Sequence, residues 1–300
     1  MARRKFMRKR KKKKIGGMDI FVFLVLTLGG IIILFPFWNM LVISFTTQKE
    51  YMQTKLLFFP KNPVWDAYKA LLGDGRIWIG FRTTFLYLIL GVPLNLFLTT
   101  CLAYGLSRKD YPGRKLIRGL ILFTMLFGGG IIPLYLVMKS LNLTNTIWAV
   151  ILAYGVNTFN AILMSNFFSS LPESLLDSAK LDGAGDWKMI QRIIMPLSKP
   201  IFATISLFYI VDRWNEWYNS MIFVRKSSLQ PLQLVLRSIV IDSQVKAKIS
   251  SMGVVAVEEY AFDTAIKMAA VVVTIIPVMC VFPFLQKHFV KGVMIGAVKS

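Results

Sequence analysis

The sequence predicts an all-α integral membrane protein of about six transmembrane helices, and three observations carry that prediction. Of its 300 residues 55% are hydrophobic and only 17% are charged, where a soluble domain carries about 25% charged residues. The apolar residues are gathered into six runs, each close to the roughly 20 residues that cross a hydrocarbon core. Lys and Arg are unevenly divided between the connections on alternate sides, as membrane orientation requires.

The runs cover 20–44, 81–106, 116–138, 146–168, 200–224 and 265–287. In lipid each must satisfy its own backbone hydrogen bonds, which predicts helix throughout. The first run follows a tail, 1–19, with ten Lys and Arg between Arg3 and Lys14. Next to an apolar run, such a tail reads as a cytoplasmic anchor in contact with anionic membrane lipid. No aromatic-rich basic domain follows it, which argues against nucleic acid as a partner. Ile20–Ile43 is too long for the apolar part of a signal peptide and is followed by no small-x-small cleavage site, so it reads as a retained helix. With the N-terminus inside, the cytoplasmic parts 1–17, 107–118, 169–199 and 286–300 hold 22 Lys and Arg, against 11 in 45–80, 139–145 and 225–264. The bias agrees with an even helix number and with both termini in the cytoplasm. The core of the protein is then 20–287, with a cytoplasmic tail at 288–300.

Some runs are interrupted. Gly91 and Pro93 lie inside the second, and Gly128, Gly129, Gly130 and Pro133 inside the third. Proline removes a backbone donor and kinks a helix. Broken helices at membrane depth are tolerated only against protein or a water-filled cavity, so these positions mark either a translocation path or a packing kink. Asn95 and Thr99, and Asn157 and Asn160, are spaced to share a helix face, for packing or for hydrogen bonds between helices. Arg82 and Lys267 read as residues that snorkel to the outer surface.

Catalytic chemistry finds little support. Cys101 and Cys280 both lie in apolar runs, and His288 is the single histidine. That excludes a disulfide framework, a zinc spacing and a multi-histidine metal site. No Gly-x-x-x-x-Gly-Lys-Ser/Thr phosphate loop is present: GGGIIP (Gly128 to Pro133) has no following Lys, and GAGDWK, ending at Lys188, has the wrong spacing. No metal and no cofactor is expected on this chain, and the chain reads as a non-enzyme.

The connection LPESLLDSAKLDGAGDWKMIQRIIMPLSKP, from Leu171 to Pro200, is the most informative segment. Leu175, Leu176, Ala179 and the small Gly183 recur at steps of three and four, which makes one apolar helix face. Gly183 and Gly185 break the run, and Asp186 is placed to cap a second helix. Trp187, Ile190 and Ile194 form its stripe, and Pro196 and Pro200 punctuate the entry to the next run. A loop that exposes two apolar stripes must bury them, either on its own helix ends or in a groove of a soluble partner.

The spacing resembles the EAA loop of binding-protein-dependent ABC importer permeases: Glu-Ala-Ala, three residues, Gly, nine residues, Ile, one residue, Leu-Pro. Here stand Asp177, Ser178 and Ala179, then Gly183, then Ile193, then Met195 and Pro196. Asp177, Ser178 and Met195 depart from the pattern by mild substitution. Trp214 to Trp217 (WNEW) is similar to the Trp-Asn-Glu-aromatic stretch of carbohydrate permeases. Phe289 to Ser300 is similar to their Gly-x-x-x-Gly-Ala-x-Lys tail. The resemblance runs from the first helix to the C-terminus. It is nearest to the smaller, maltose-type permease and, within that family, to the aldouronate and alginate oligosaccharide group.

The resemblance implies a type I ABC importer fold with a cytoplasmic coupling helix at 169–199. Glu173, Asp177, Ser178, Ala179, Asp182, Gly183, Ala184, Trp187, Ile193 and Pro196 would meet an ATPase subunit. It implies a second homologous permease subunit, two ATPase subunits carrying ATP and magnesium, and an extracytoplasmic solute-binding protein that docks on 225–264. The cargo would be an oligosaccharide, including acidic ones, and the location a bacterial cytoplasmic membrane.

Asp212, Arg213, Trp214, Asn215, Glu216, Trp217, Tyr218 and Asn219 bring ionisable, amide and aromatic groups together in the fifth run. Ionisable residues at membrane depth are costly and mark function, and this mixture suits the hydroxyls and apolar faces of a sugar. The competing reading is a charge cluster at the outer interface within an aromatic belt. Arg213 has Glu216 and Asp212 as candidate partners. Two other functions share the helical pattern: an ion-coupled secondary transporter, which would show two related halves, and an ABC permease for a non-sugar solute such as a peptide.

Overall fold

The computed structural model describes residues 16–54, 57–251 and 264–280; the side chains of 243–251 are not described. Both tails, 1–15 and 281–300, and with them His288 and the Gly-x-x-x-Gly tail, lie outside the described residues.

Helices account for nearly every described element, as a chain that must satisfy its backbone in lipid requires. The first, α1 (Gly17–Ser44), carries Pro36 without breaking. Its side chains are exposed from Met18 to Leu28, the face a lipid-contacting helix shows. Two short helices follow, α2 (Gln48–Gln53) and α3 (Asp66–Gly73). Asp74 starts the long α4 (Gly75–Ser107), accepting the Arg76 N–H. A wide turn at Tyr87–Gly91 absorbs Pro93, so the helix continues past both expected break points.

The other runs behave differently. Gly128 to Gly130 do not sit inside a helix: they separate α5 (Arg114–Leu126) from α6 (Ile131–Ser140), which are bent by 116°. The fourth run is likewise two helices, α7 (Ile147–Ala153) and α8 (Thr158–Ser169), bent by 55°. Then come α9 (Glu173–Leu181), α10 (Asp186–Leu197), α11 (Lys199–Trp214) and α12 (Tyr218–Phe223), with a 90° bend between α10 and α11. The connection after α12 carries α13 (Leu232–Ser251), and the last run opens as α14 (Thr264–Cys280). Among the described residues, two helices are long and apolar enough to span, or up to five spans if each bent pair is one.

Three apolar clusters hold these elements together. One joins the start of α4 to α3, α13 and α14 around Leu71, Ile77 and Leu232. A second joins the end of α4 to α8, α9, α10 and α11 around Met164, Ile194 and Ile205. The third sits between Tyr87, α6, α7 and α12 around Ile151 and Phe223. All three contain α4 residues, so α4 is the axis of the fold. Gly80 permits the closest approach: a Cβ there would lie 2.9 Å from the Leu232 Cα, and the Leu232 N–H is held by the Thr84 hydroxyl at 3.0 Å.

Candidate functional site

The connection from Leu171 to Pro200 folds as two helices around a left-handed turn. Glu173 in the first turn of α9 and Lys180 in its last complement the helix dipole. Gly183 has φ 73°, a conformation that costs an L side chain about 1–2 kcal/mol. The Gly183 N–H reaches the Lys180 carbonyl at 3.0 Å and the Ala184 N–H reaches the Ala179 carbonyl at 2.9 Å. These are the two bonds of a Schellman cap. No heavy atom lies within 4 Å of a Cβ at Gly183, so the requirement for glycine is conformational.

The apolar residues of the segment divide between burial on the chain's own helices and exposure. Ala179, Met189, Ile190 and Ile194 are buried in the second cluster, and Leu176, Ala184 and Ile193 pack beside them. Leu175 and Trp187 stay exposed and Leu181 is 90% exposed. Glu173, Asp177, Ser178, Asp182, Gly183 and Pro196 are exposed as well. One expectation is corrected: Asp186 does not cap α10. Gly185 occupies the cap position, and the Asp186 carboxylate instead accepts the Tyr104 hydroxyl of α4 at 2.6 Å.

Two ion pairs add to that tie. Lys109 meets Glu173 at 2.6 Å and Lys180 meets Asp110 at 3.1 Å. The hydrogen bond from Lys180 holds the Asp110 carboxyl below the usual carboxylate range. The end of α4 and the residues after it therefore grip α9 and α10 at three points. No local pattern foretold Tyr104, Lys109 or Asp110, because their partners lie tens of residues away in the chain.

The second site lies where α11 ends. Arg213 is buried, 4% exposed. Its guanidinium donates to the Val150 and Ile151 carbonyls at 3.0 Å each, to the Tyr154 carbonyl at 3.4 Å and to the Asn95 amide oxygen at 3.3 Å. Asn95 in turn donates to the Gly155 carbonyl at 2.6 Å. Because α7 stops at Ala153, its last carbonyls have no partner within the helix. Arg213 supplies partners for two of them, at Val150 and Ile151, and places a cation at the negative end of the helix dipole, while Asn95 serves the Gly155 carbonyl just beyond the helix. Gly91 makes room, since a Cβ there would lie 3.4 Å from the Arg213 Nε. Of the two candidate partners, Glu216 is the one paired, at 3.8 Å.

Gly91 is the central residue of the 33-residue α4, about 24 Å from either end at a rise of ~1.5 Å per residue. Arg213 is packed on it, far from either end of α4. Asp212, Asn215 and Tyr218 are exposed, and Glu216 and Asn219 are buried. With Arg213, Trp217, Tyr154, Asn157 and Tyr209 they line a cavity of about 350 Å³. Glu216 is held by the Asn219 N–H and side-chain amide, each at 2.9 Å. Trp214 faces away, packed edge-on against Phe85 with ring centroids 6.5 Å apart.

Tyr209 was not legible as part of this site. Its hydroxyl accepts the Asn157 N–H at 3.1 Å and bonds the Thr99 hydroxyl at 2.5 Å, joining α11, α4 and the α7–α8 break. Asn95 and Thr99 thus do bond between helices. Asn157 does not do so with its side chain, which caps α8 by accepting the Asn160 N–H at 3.2 Å. Among the described residues no group of three or more His, Cys, Asp or Glu is placed to hold a metal.

No family model matches the chain. Individual relatives do. The chain is 39% identical over 283 residues to the polygalacturonan/rhamnogalacturonan transport system permease protein YtcP of Bacillus subtilis, covering 94% of this chain and 98% of the relative. It is 40% identical to protein LplC of the same organism, over 92% and 93% of the two chains. The arabinooligosaccharides transport system permease protein AraQ of B. subtilis is 28% identical over 90% of this chain and 92% of its own. A crystal structure of a bacterial ABC transporter that imports the acidic polysaccharide alginate superposes with a TM-score of 0.81. It is 29% identical and covers 91% of this chain and 96% of that one.

Proposed function

The chain belongs to the permease subunits of carbohydrate ABC transport systems, and from that premise we propose that it carries an acidic, uronate-containing oligosaccharide through a bacterial cytoplasmic membrane as one of two homologous permeases. The observation that supports this cargo most is the 39% identity, along nearly the whole chain, to a polygalacturonan/rhamnogalacturonan permease. The match to an importer of acidic alginate points the same way. In this reading α1, α4, the bent pairs α5–α6 and α7–α8, α11 and the run opened by α14 make six spans, and both termini are cytoplasmic.

The exposed side of α9 and α10 is the surface offered to an ATPase subunit. Leu175, Leu181 and Trp187 supply its apolar part and Asp177 and Asp182 its charge. ATP and magnesium are bound by two such ATPase subunits. Their closure moves α9 and α10 as a rigid body, and the grip of Tyr104, Lys109 and Asp110 passes that movement to α4. The solute arrives on an extracytoplasmic binding protein, docks at 225–264 and passes the cavity beside Asp212, Asn215, Trp217 and Tyr218. There amides and carboxylates suit hydroxyls, and the rings suit the apolar face of a sugar.

The test is purification of the tagged chain from its native membrane with identification of what accompanies it, paired with uptake of labelled trigalacturonate. A second permease and an ATPase subunit are expected to co-purify. Gly183→Pro, which forces φ near −65° where +73° is needed, and Trp187→Asp are expected to abolish uptake while ATP hydrolysis continues. Normal uptake in both variants would sink the coupling role of the 171–200 segment.

A further inference from the structure

On the far side of Trp217 from the Arg213 cluster lies a second cavity, of about 530 Å³, bounded by α13 and α14. It shares Asn215 and Trp217 with the first cavity. Its charged lining is different. Among its described lining residues the only charged one is Arg237, and no Asp or Glu lines it. The first cavity contains Asp212 and Glu216, and its Arg213 spends both terminal nitrogens on the Val150 and Ile151 carbonyls and Asn95, while its Nε, which has no partner, is packed on Gly91. A carboxylated sugar is therefore repelled on one side of Trp217 and attracted on the other.

Arg237 is built to receive it. The residue is exposed, on a turn of α13 whose neighbours Leu234, Val235 and Leu236 are buried. Its guanidinium carbon lies 3.8 Å from the centroid of the Trp217 ring. A cation at that distance is held by the ring electrostatically. Stacking uses the face of the guanidinium and leaves its N–H edge to accept a carboxylate in a bidentate fork. It also holds the long side chain in place before a ligand arrives, which lowers the cost of ordering it on binding. Among the described residues no ion pair to a carboxylate occupies that edge.

We propose that Arg237, stacked on Trp217, binds the carboxylate of the sugar in transit and sets the preference of this permease for acidic over neutral oligosaccharides. The proposal rests on the acidic cargo argued above. It adds a residue from the outer connection to a path otherwise drawn from α11 and α12.

The experiment is uptake at saturating trigalacturonate by cells making the whole importer, with Arg237→Lys and Arg237→Met compared with wild type. Methionine keeps a long stem against Trp217 and loses the charge; lysine keeps the charge. The lysine variant is expected to import within about threefold of wild type, and the methionine variant to lose ten- to a hundred-fold, roughly what a charge-assisted hydrogen bond contributes. Co-purification of the partner subunits and ATP hydrolysis without sugar should be unchanged in both. Wild-type uptake by the methionine variant would overturn the proposal, and so would an equal loss in both variants, which would show that only the shape of the stack matters. Failure of wild type itself to import trigalacturonate, while taking up neutral arabinotriose, would instead remove the acidic cargo and this assignment with it.

Discussion

Arg213 and Gly183 show how differently two residues of a candidate site earn their places. Gly183 was legible in the sequence, because a glycine at the end of an apolar helical stripe is a stop signal, and its φ of 73° bears that out. The chemical character of Arg213 was legible and its partners were not. A charged group in an apolar run had to be satisfied by something, but the satisfying groups are backbone carbonyls of Val150 and Ile151, some sixty residues away. The glycine beneath it, Gly91, was read as a helix interruption, whereas the structure uses it as space. A prediction separates a structural arginine from one that contacts the solute. Arg213→Lys keeps the charge but loses the fork that serves two carbonyls at once, leaving at least one buried acceptor unpaired at about 1–3 kcal/mol. The unfolding midpoint of the purified complex is expected to fall by several degrees, with uptake falling in proportion to folded protein. Unchanged stability with lost uptake would assign Arg213 to the solute.

Helices α9 and α10 act as a unit with the end of α4, and that unit was only half legible. Periodicity placed both helices and the turn between them. It gave each helix one apolar stripe, and the structure splits both: Ala179, Ile190 and Ile194 are buried in the chain itself while Leu175 and Trp187 stay exposed. The tie from Tyr104 to Asp186 replaced an expected cap, because a local rule competed with a long-range donor at 2.6 Å. Tyr104→Phe removes that donor and little volume. It is expected to leave assembly intact and to lower the amount of sugar imported per ATP hydrolysed by several-fold, with the Asp110→Asn variant adding to the effect. The pH dependence of the grip has a defined sign. The Asp110 carboxyl is depressed in the folded protein by Lys180, so its contribution is present above the ordinary carboxylate range and is lost as pH falls through the depressed value. Coupling is therefore expected to be insensitive to pH between roughly 5 and 8. It should weaken with added salt, since both ion pairs are exposed. A coupling ratio unaffected by Tyr104→Phe would leave α4 without a role in transmission.

At the scale of the whole molecule, the sequence signals the all-helical class well and the internal continuity of its apolar runs poorly. The break between Ala153 and Thr158 is possible because distant side chains donate to the freed backbone carbonyls: Asn95 to Gly155 and Arg213 to Ile151. Such donors come from distant residues, so the apolar run looks unbroken in the chain. Orientation is different, since it depends on the sum of charges and not on any contact. The division of 22 Lys and Arg against 11 is the ground for proposing the 171–200 segment in the cytoplasm, within reach of an ATPase, and the 225–264 connection outside, within reach of a binding protein. Both halves of the transport reading depend on that assignment. With Cys101 and Cys280 replaced by serine, a cysteine at Ser178 and one at Ser227, both exposed positions, report the two sides separately. A membrane-impermeant maleimide is expected to label Ser227→Cys in intact cells and Ser178→Cys only in inverted vesicles. The reverse pattern would place α9 and α10 away from any source of ATP and would end their role as a coupling surface, whatever the similarity of the chain to importer permeases.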